Sequence, residues 1–365
     1  MRPPVGRLGS LGEKETLHWV GLMSGTSGDG IDAVRIEIKD LPVKDLPNWR
    51  PKIRLLQGQV LPFPEPMRGA LQRDLSSPLS VARAAYWDAQ LGSAFATAAE
   101  GLVQDQGVDA VALSGHTFAH HPDQDPPTTL QLGNPALVAE RTGLPVVAGF
   151  RASDVARGGE GAPLVPAGDR LLFGDPEQDV AVLNLGGISN LTWLPAGFGM
   201  PRAADCGPGN LILNQIMRSA TGGTFQWDNG GALALRGQVH RKSVETWLQD
   251  SFFLPGAQRS TGREQFGERW VLEHGDELAG LELPDRLATV VAWIVEGISL
   301  SLERLGEGRI PHFLWVGGGG AHNLALLKAL EDFLPLAPQA LRAKSHCVDA
   351  DTREAVCFAL LGHLW

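Results

Sequence analysis

The chain has 365 residues, 43% of them hydrophobic and 20% charged, so it can bury a substantial interior and is long enough for two domains. Its formal net charge of −10 argues against a nucleic-acid partner, which normally needs a basic protein face. The three cysteines show no metal-ligand spacing, which argues against a disulfide framework and a zinc site.

No apolar run approaches the roughly 20 residues of a membrane helix, and the first residues lack the apolar core of a secretion signal. We therefore expect no membrane partner and a cytoplasmic protein. Residues 1–15 are rich in glycine, proline and charge, and are predicted to form a flexible extension without function.

The first predicted element is a glycine-rich β-hairpin at residues 19–38. Its turn holds four glycines, three hydroxyl residues and two aspartates between residues 21 and 32. The N–H groups and hydroxyls of such a turn can bind anionic oxygens, glycine permits close approach to a phosphate, and carboxylates can hold magnesium. The pattern therefore predicts a phosphate-binding turn; an ordinary hairpin turn is the alternative.

Strands then alternate with helices, which is typical of an α/β fold. Four prolines between residues 39 and 64 predict irregular connections and short strands such as 53–56. A long helix is expected over residues 77–106, with Ser77 as its N-cap and Pro78 at its first position. The next predicted elements are a strand at 109–113, a strand and turn at 128–134, a helix at 135–143 and a strand at 144–147.

Residues 150–166 mix charges with glycines and show no regular period, so they are predicted to be a loop with more than a connecting role. A second glycine-rich hairpin is predicted at 180–193, and a later strand ends at Asp205. Asn210 is the expected N-cap of the helix that follows this strand. The remaining predicted elements are helices at 285–305, 323–333 and 352–364, and a strand at 313–316 that ends in four glycines at 317–320.

The two glycine-rich hairpins form a coarse internal repeat, with one hairpin near the start of each half of the chain. Two related α/β halves of this kind would form a cleft with a nucleotide at its base. The glycine turn at 317–320 lies between a strand and a helix, where it could carry the nucleoside.

Eight short segments together indicate one protein family. Each is a weak signal alone, but their order and spacing along the chain are specific. They are MSGTSGDGID (23–32), TLQLGNPALVA (129–139), FRASDVARGGEGAPLVP (150–166), VLNLGGISNLT (182–192), DCGPGN (205–210), STGREQF (260–266), VGGGGAHN (316–323) and REAVCFALL (353–361). On these segments the chain resembles the anhydro-N-acetylmuramic acid kinases, a family of the actin/hexokinase/Hsp70-like superfamily.

The resemblance implies a two-domain actin/hexokinase-like (ribonuclease H-like) α/β fold with a central cleft between the domains. The expected domains are 16–175, joined by the C-terminal helix 351–365, and 176–350. The implied activity uses ATP and Mg²⁺ to open the 1,6-anhydro bridge of 1,6-anhydro-N-acetylmuramic acid and phosphorylate O6, in peptidoglycan recycling. Members of the family are cytoplasmic and usually dimeric, so a homodimer is expected.

Asp205 is the expected general base, because it ends a strand before a Gly-Pro-Gly turn and coincides with the base of the family. The alternative is a helix N-cap. Asp29 is the candidate magnesium ligand, and Asp32 is expected to brace its hairpin. The expected ATP-binding residues are Gly25, Thr26, Ser27, Gly28, Asp29, Gly30, Ile31 and Asp32 in the first hairpin, Gly186, Gly187 and Asn190 in the second, and Gly318, Gly319 and Asn323 on the adenosine side.

Arg151 and Asp154 are candidates for binding the lactate carboxylate and the hydroxyls of the sugar, since the arginine fork matches a carboxylate. An internal ion pair between these two side chains is the alternative. The resemblance also implies that His120 and Glu354 contact the sugar or its attacking water. On the residues alone, His120 is equally well explained as a structural histidine, and Glu354 as an exposed helix charge.

The chain departs from the family pattern at four positions. Ser114 and His116 stand in place of the His and Gln of an HGQT motif, Asn214 in place of an aspartate, and Gly230 in place of the second carboxylate of a DxDG motif. These changes leave open a kinase of a different sugar, or a non-catalytic sensor of nucleotide or sugar. The retained Asp205 favours an enzyme.

Overall fold

The computed structural model describes residues 14–25, 28–39, 51–75, 79–103, 107–254, 256, 260–262, 264–337, 339–342 and 352–364. The chain divides into two compact units, Met1–Leu172 with Ser345–Trp365, and Phe173–Lys344. Within the described ranges, no helix is both long and apolar enough to cross a membrane.

The first unit is built on a six-stranded sheet in which the order β3-β2-β1-β4-β5 is extended by β6, which pairs with β4. Helix α12 returns to this unit from the end of the chain. Its elements are β1 (Thr16–Ser24), β2 (Gly30–Lys39), β3 (Lys52–Pro62), α1 (Glu65–Leu75), α2 (Val81–Val103), β4 (Ala110–His121), β5 (Thr128–Leu132), α3 (Pro135–Thr142), β6 (Val146–Ala148), α4 (Phe150–Ala156), α5 (Val165–Phe173) and α12 (Arg353–Leu364).

The second unit contains a five-stranded sheet in the order β11-β10-β7-β8-β9. Short 3-10 turns connect several of its helices. Its elements are β7 (Val180–Leu185), β8 (Ile188–Leu194), β9 (Arg202–Pro208), α6 (Asn210–Ala220), α7 (Arg241–Trp247), α8 (Glu268–Glu273), α9 (Gly275–Ala279), α10 (Leu283–Gly306), β10 (Phe313–Gly317), α11 (Leu324–Phe333) and β11 (Leu341–Arg342).

The two sheets repeat one another. In each unit the first strand pairs antiparallel with the second, the second pairs antiparallel with the third, and the first pairs parallel with the fourth. The strand order therefore confirms the predicted α/β class and the internal repeat. It also puts each glycine-rich turn between the first and second strand of its own sheet.

Apolar periodicity explains the long helices. Helix α2 buries Trp87, Leu91 and Phe95 along one side, at the spacing of one helical face. Helix α12 packs on β1 and β4 so closely that a Cβ at Gly21 would collide with the carbonyl oxygen of Ala355. Glycine at position 21 therefore lets the helix lie directly on the strand.

Several predicted elements are corrected by the structure. Strand β3 is one strand of 11 residues, not a short strand between irregular connections, because Pro51 and Pro62 fall at its ends. Its pairing with β2 runs along its whole length, with one irregularity between Arg35 and Ile36. Residues 150–166 are not simply a loop, since they contain α4 and the start of α5. The expected cap of α2 at Ser77 and Pro78 lies outside the described residues.

A buried ion pair joins α12 to α5 in the first unit. Nη1 of Arg353 lies 3.3 Å from both carboxylate oxygens of Asp169, and the two side chains are 6% and 0% exposed. Removing one partner of a buried pair typically costs about 3–5 kcal/mol, because the other charge is left without compensation.

Asp169→Asn is therefore expected to lower the free energy of unfolding by about 3 kcal/mol, as measured by urea denaturation. Glu273→Gln is the matched control, since it breaks an ion pair with Arg269 in which both side chains are more than half exposed. That change is expected to cost less than about 0.5 kcal/mol. Equal losses of unfolding free energy in the two variants would contradict a stabilising role of the buried Arg353–Asp169 pair.

Candidate active site

The first glycine-rich turn connects β1 to β2. Gly28 has φ +66 and donates its N–H to the carbonyl oxygen of Gly25 at 3.1 Å, which closes the turn. Asp29 is exposed, and its Oδ1 accepts a hydrogen bond of 3.3 Å from Nε2 of Gln72 on α1. Ile31 is buried in the core, so only its backbone could face a ligand. Thr26 and Ser27 lie outside the described residues.

The structure shows what lies behind this turn. Ser24, the last residue of β1, pairs with His116 on β4, and its Oγ lies 3.1 Å from Nδ1 of the imidazole. His116 is 0% exposed, and its Nε2 has no hydrogen-bond partner within the described chain. Burial lowers the pKa of His116 from 6.5 to about 4, so the ring is neutral near pH 7.

This neutral histidine makes a testable contribution to the pH dependence of stability. Between about pH 6.5 and pH 4 the unfolded chain binds a proton at position 116 that the folded chain does not bind, so stability falls as the pH is lowered through this window. His116→Gln removes this titration and retains an amide that can contact Ser24. Between pH 7 and pH 4.5 the free energy of unfolding, measured with urea, should therefore fall by roughly 2–3 kcal/mol less in His116→Gln than in the parent. Identical losses would show that the ring is not held neutral.

Three of the four side chains expected to bind the sugar lie around Gly161 in the first unit, and the fourth, Glu354, interacts electrostatically with Arg151. Arg151 on α4 donates from Nη1 to the carbonyl oxygen of Gly161 at 3.1 Å. Oδ2 of Asp154, one turn along the same helix, accepts from the N–H of Gly161 at 2.8 Å. A Cβ at Gly161 would lie 3.2 Å from Cε1 of His120, and Glu354 attracts the Arg151 guanidinium. Gly161 thus lies between residues of α4 and β4, and α12 is connected to this group through the charge of Glu354.

Within this group, Arg151 is the side chain that can bind an anionic ligand. Burial lowers the pKa of Arg151, with Glu354 opposing that shift, and Nε of Arg151 is buried without a partner in the described chain. Burial and then the positive charge of Arg151 lower the pKa of His120, whose Nδ1 lies 3.0 Å from Oγ1 of Thr129. A half-desolvated guanidinium beside a neutral imidazole can bind a carboxylate.

Two readings made from the residues alone are wrong here. Arg151 and Asp154 both bind Gly161 and, within the described residues, do not pair with each other. Glu354 is only partly exposed, because α12 lies against the sheet of its unit, and is not a free surface charge.

Asp205 lies within β9 of the second unit, opposite Asn190 on β8. Its Oδ2 accepts a hydrogen bond of 2.8 Å from the N–H of Thr261, and the hydroxyl of Ser260 also bonds to it. Burial raises its pKa, these two donors lower it, and the charge of Glu264 raises it, with a net upward shift. The carboxylate is therefore a stronger base than an ordinary aspartate, and it is held in one orientation.

The capping alternatives for this segment are wrong. The cap of α6 is Gly209, and Asp205 is four residues further back in the strand. Asn210 is the first helical residue, and its Nδ2 donates to the carbonyl oxygen of Leu185 at 2.9 Å. The neighbouring Cys206 is 1% exposed and burial raises its pKa to about 12, so it is not a thiolate at neutral pH.

The second glycine-rich turn lies against the start of α6. The carbonyl oxygen of Gly186 accepts from the N–H of Asn210 at 2.8 Å, and that of Gly187 accepts from the N–H groups of Gly209 and Leu211 at 3.0 and 3.1 Å. These bonds satisfy the first N–H groups of the helix and fix the turn.

The glycines after β10 lie beside the same turn. Gly317 pairs with Asn184, and a Cβ at Gly318, which has φ +77, would lie 3.0 Å from the backbone of Leu185. Asn323 caps α11, because its Oδ1 accepts from two N–H groups of the helix at 3.0 and 3.2 Å. The predicted nucleotide residues of the second unit therefore lie at one edge of its sheet, as expected for a ligand site at the carboxyl ends of parallel strands.

The family model for anhydro-N-acetylmuramic acid kinase matches residues 17–365. The chain belongs to this family. A protein named anhydro-N-acetylmuramic acid kinase from Gloeobacter violaceus is 38% identical, with 94% of this chain and 91% of that protein covered. One of the same name from Caldanaerobacter subterraneus is 34% identical, covering 98% and 93%. A ROK family glucokinase from Streptomyces griseus, solved with glucose and AMPPNP, aligns with a TM-score of 0.41 and 15% identity over 95% of this chain and all of that one.

One departure from the pattern of the anhydro-N-acetylmuramic acid kinases, Gly230, now has a structural context. Gly230 has φ +64, a conformation that glycine adopts without strain, in a turn closed by Asp228. The carboxylate of Asp228 accepts from the N–H groups of Leu233 and Ala234 at 2.9–3.1 Å, so its role in the structure is to hold this turn. Asn214 is partly buried on α6, and nothing in the structure explains its replacement of aspartate.

Sequence reasoning missed two residues that contact Asp205. The donors to Asp205, Ser260 and Thr261, stand in the STGREQF segment, which carried the resemblance but was assigned no role. A cavity of about 600 Å³ beside this segment was also missed, because α7 and α8 are distant in sequence. It is lined by Thr246, Trp247, Gln249, Asp250, Glu264, Gln265, Arg269, Trp270, Glu273 and His274.

Proposed function

We propose that this sugar kinase uses ATP and one water molecule to convert 1,6-anhydro-N-acetylmuramic acid into N-acetylmuramic acid 6-phosphate and ADP, in peptidoglycan recycling. Membership of the family supports the substrate and the class of enzyme. The observation that carries the mechanism is the placement of Asp205, whose carboxylate is oriented by Thr261 and made more basic by burial.

In the proposed reaction Asp205 accepts a proton from water, whose oxygen forms a bond to C1 of the sugar. The C1–O6 bond breaks, and O6 takes its electron pair and forms a bond to the γ-phosphorus of ATP. The bond from that phosphorus to the bridging oxygen breaks, and ADP leaves. Asp205 then releases its proton to solvent, so one water and one ATP are consumed and one ADP and one proton are formed.

The group around Gly161 would recognise the sugar. Arg151 is the proposed partner of the lactate carboxylate, since its guanidinium is buried and one of its donors is unpaired in the described chain. Asp154, His120 and Glu354 would contact hydroxyl groups or the attacking water. A neutral His120 can both donate and accept a hydrogen bond, which suits a hydroxyl group.

The two glycine-rich turns would hold ATP, with the phosphates on residues 25–32 and on Gly186, Gly187 and Asn190. Gly318, Gly319 and Asn323 would carry the adenosine. Magnesium neutralises phosphate charge when it is bound, and Asp29 would contact it or its waters. No three His, Cys, Asp or Glu side chains converge as a ligand set in the described part of the chain, so phosphate oxygens and water would complete the coordination.

The resemblance further supports a cytoplasmic homodimer. Elution of the purified protein at twice the mass of one chain in light-scattering chromatography would support the dimer.

The decisive test measures ADP release with 1,6-anhydro-N-acetylmuramic acid, N-acetylmuramic acid and N-acetylglucosamine as acceptors. The proposal expects turnover with the anhydro sugar and little with the other two, because only a bridged sugar couples water attack to release of O6. Equal ADP release with the sugars that lack the 1,6-anhydro bridge would indicate a kinase of another sugar. Nucleotide binding without ADP release would indicate a sensor.

A further inference from the structure

A chain of hydrogen bonds runs from Asp205 to Asp250 within the second unit. The N–H of Thr261 donates to Oδ2 of Asp205 at 2.8 Å. The hydroxyl of Thr261 donates to Oε1 of Gln265 at 2.8 Å, and Nε2 of Gln265 donates to Oδ1 of Asp250 at 3.0 Å. Backbone and side chain of Thr261 are thus held from opposite ends.

Both the side chain and the backbone of Gln265 are attached to rigid structure. The same Oδ1 of Asp250 accepts from the N–H of Phe252 at 2.8 Å, which fixes the carboxylate on a short helical turn. The next residue, Phe266, is fully buried and contacts the rings of Phe252, Phe253 and Trp293. The amide of Gln265 is therefore a fixed point from which the Thr261 side chain is oriented.

We propose that Gln265 is a positioning residue for the hydrolytic step, and that it holds Thr261 so that the backbone N–H of Thr261 stays directed at the carboxylate of Asp205. The inference rests on the proposed function, because it requires Asp205 to act as the base. Gln265 itself does not touch the reacting atoms.

The groups around Asp205 decide in which direction its pKa moves when Thr261 is released. The N–H of Thr261 and the hydroxyl of Ser260 stabilise the ionised form of Asp205, whereas burial and Glu264 disfavour it. Besides Glu264, four charged or titratable side chains line the cavity that Gln265 borders, namely Asp250, Arg269, Glu273 and His274. If Thr261 is released, the donor is lost while burial and Glu264 remain, so the pKa of Asp205 rises further.

The test is the pH dependence of kcat in ADP release from the anhydro sugar. Gln265→Ala is expected to move the acid limb of the profile upward by about one pH unit, so that kcat on that limb falls about tenfold while the plateau stays within about twofold. Thr261→Val, which removes only the hydroxyl, should produce the same shift. The double variant should shift no further than either single variant, because both remove one linkage.

Two controls separate positioning from general damage. Gln249→Ala truncates an exposed glutamine on the same cavity and should leave the acid limb in place. Asp250→Asn keeps an oxygen that can accept from Gln265 and Phe252, and should stay close to the parent. Because Gln265 borders an open cavity, its truncation leaves no enclosed void, and Thr261→Val serves as the probe if Gln265→Ala does not fold.

A uniform loss of kcat at every pH, or an unchanged profile in both Gln265→Ala and Thr261→Val, would overturn the inference. If Asp205→Asn is inactive in the same assay, the proposed base stands and only the role of Gln265 falls. Normal turnover by Asp205→Asn would instead refute the proposed function, and the inference with it.

Discussion

Replacing Asp205 with asparagine is expected to lower kcat by a factor of about 10²–10⁴, the range over which a general base accelerates a reaction. Asparagine is isosteric and can still accept the N–H of Thr261, so the segment should keep its place. It cannot take a proton from water, so the C1–O6 bridge stays closed. Isothermal titration should show binding of ATP and of the sugar within a fewfold of the parent.

Asp332→Asn provides the matched control for this substitution. Asp332 is an exposed carboxylate of the same unit that pairs with Lys328, and its replacement should leave kcat unchanged. The parent itself should lose activity as the pH falls, because the base must be ionised. Since the pKa of Asp205 is raised, this loss should begin at a higher pH than for an ordinary aspartate. Near-parental turnover in Asp205→Asn would refute its role as base.

Replacing Arg151 with methionine is expected to lower kcat/KM for 1,6-anhydro-N-acetylmuramic acid by about 10²-fold, since losing one partner of a buried charge pair costs about 2–5 kcal/mol. Methionine has a comparable length but neither charge nor donors. The same change should matter much less for 1,6-anhydro-N-acetylglucosamine, which has no lactate carboxylate. Steady-state kinetics with the two sugars give the selectivity ratio directly.

Arg157→Met is the control for this second substitution, since Arg157 is exposed at the end of the same helix. It should change neither sugar's kcat/KM. Glu354 loses its attracting charge in Arg151→Met, so urea denaturation should accompany the kinetics. If kcat/KM falls by the same factor for both sugars while the protein remains folded, Arg151 supports the site without recognising the carboxylate.

The sequence predicted best those features that are encoded locally. The two glycine-rich turns follow from turn chemistry within about ten residues. A strand at Asp205 was also predicted from its own residues, but its predicted end is wrong, because β9 continues through Gly207 and Pro208, which pair with Ser189 and Ile188. In each case the residues that determine the structure are neighbours in the chain.

The features that were missed depend on partners distant in sequence. Asp205 and Thr261 are 56 residues apart, and no local pattern indicates that one binds the other. The backbone of Gly161 binds both Arg151 and Asp154 of α4, which no side-chain pattern indicates. Asn210 is a good cap by propensity, but its amide instead bonds to Leu185 on the neighbouring hairpin, so tertiary contact overrides the local preference.

The return of α12 to the first unit has a consequence during synthesis. A ribosome releases every residue of the second unit before this helix, so the surfaces of β1 and β4 that α12 covers stay exposed to water until the second unit has been synthesised. The close contact between Gly21 and Ala355 also forms only after that point. The second unit can therefore complete its folding first, while residues 1–172 of the first unit still lack the twelve-residue helix that covers their sheet.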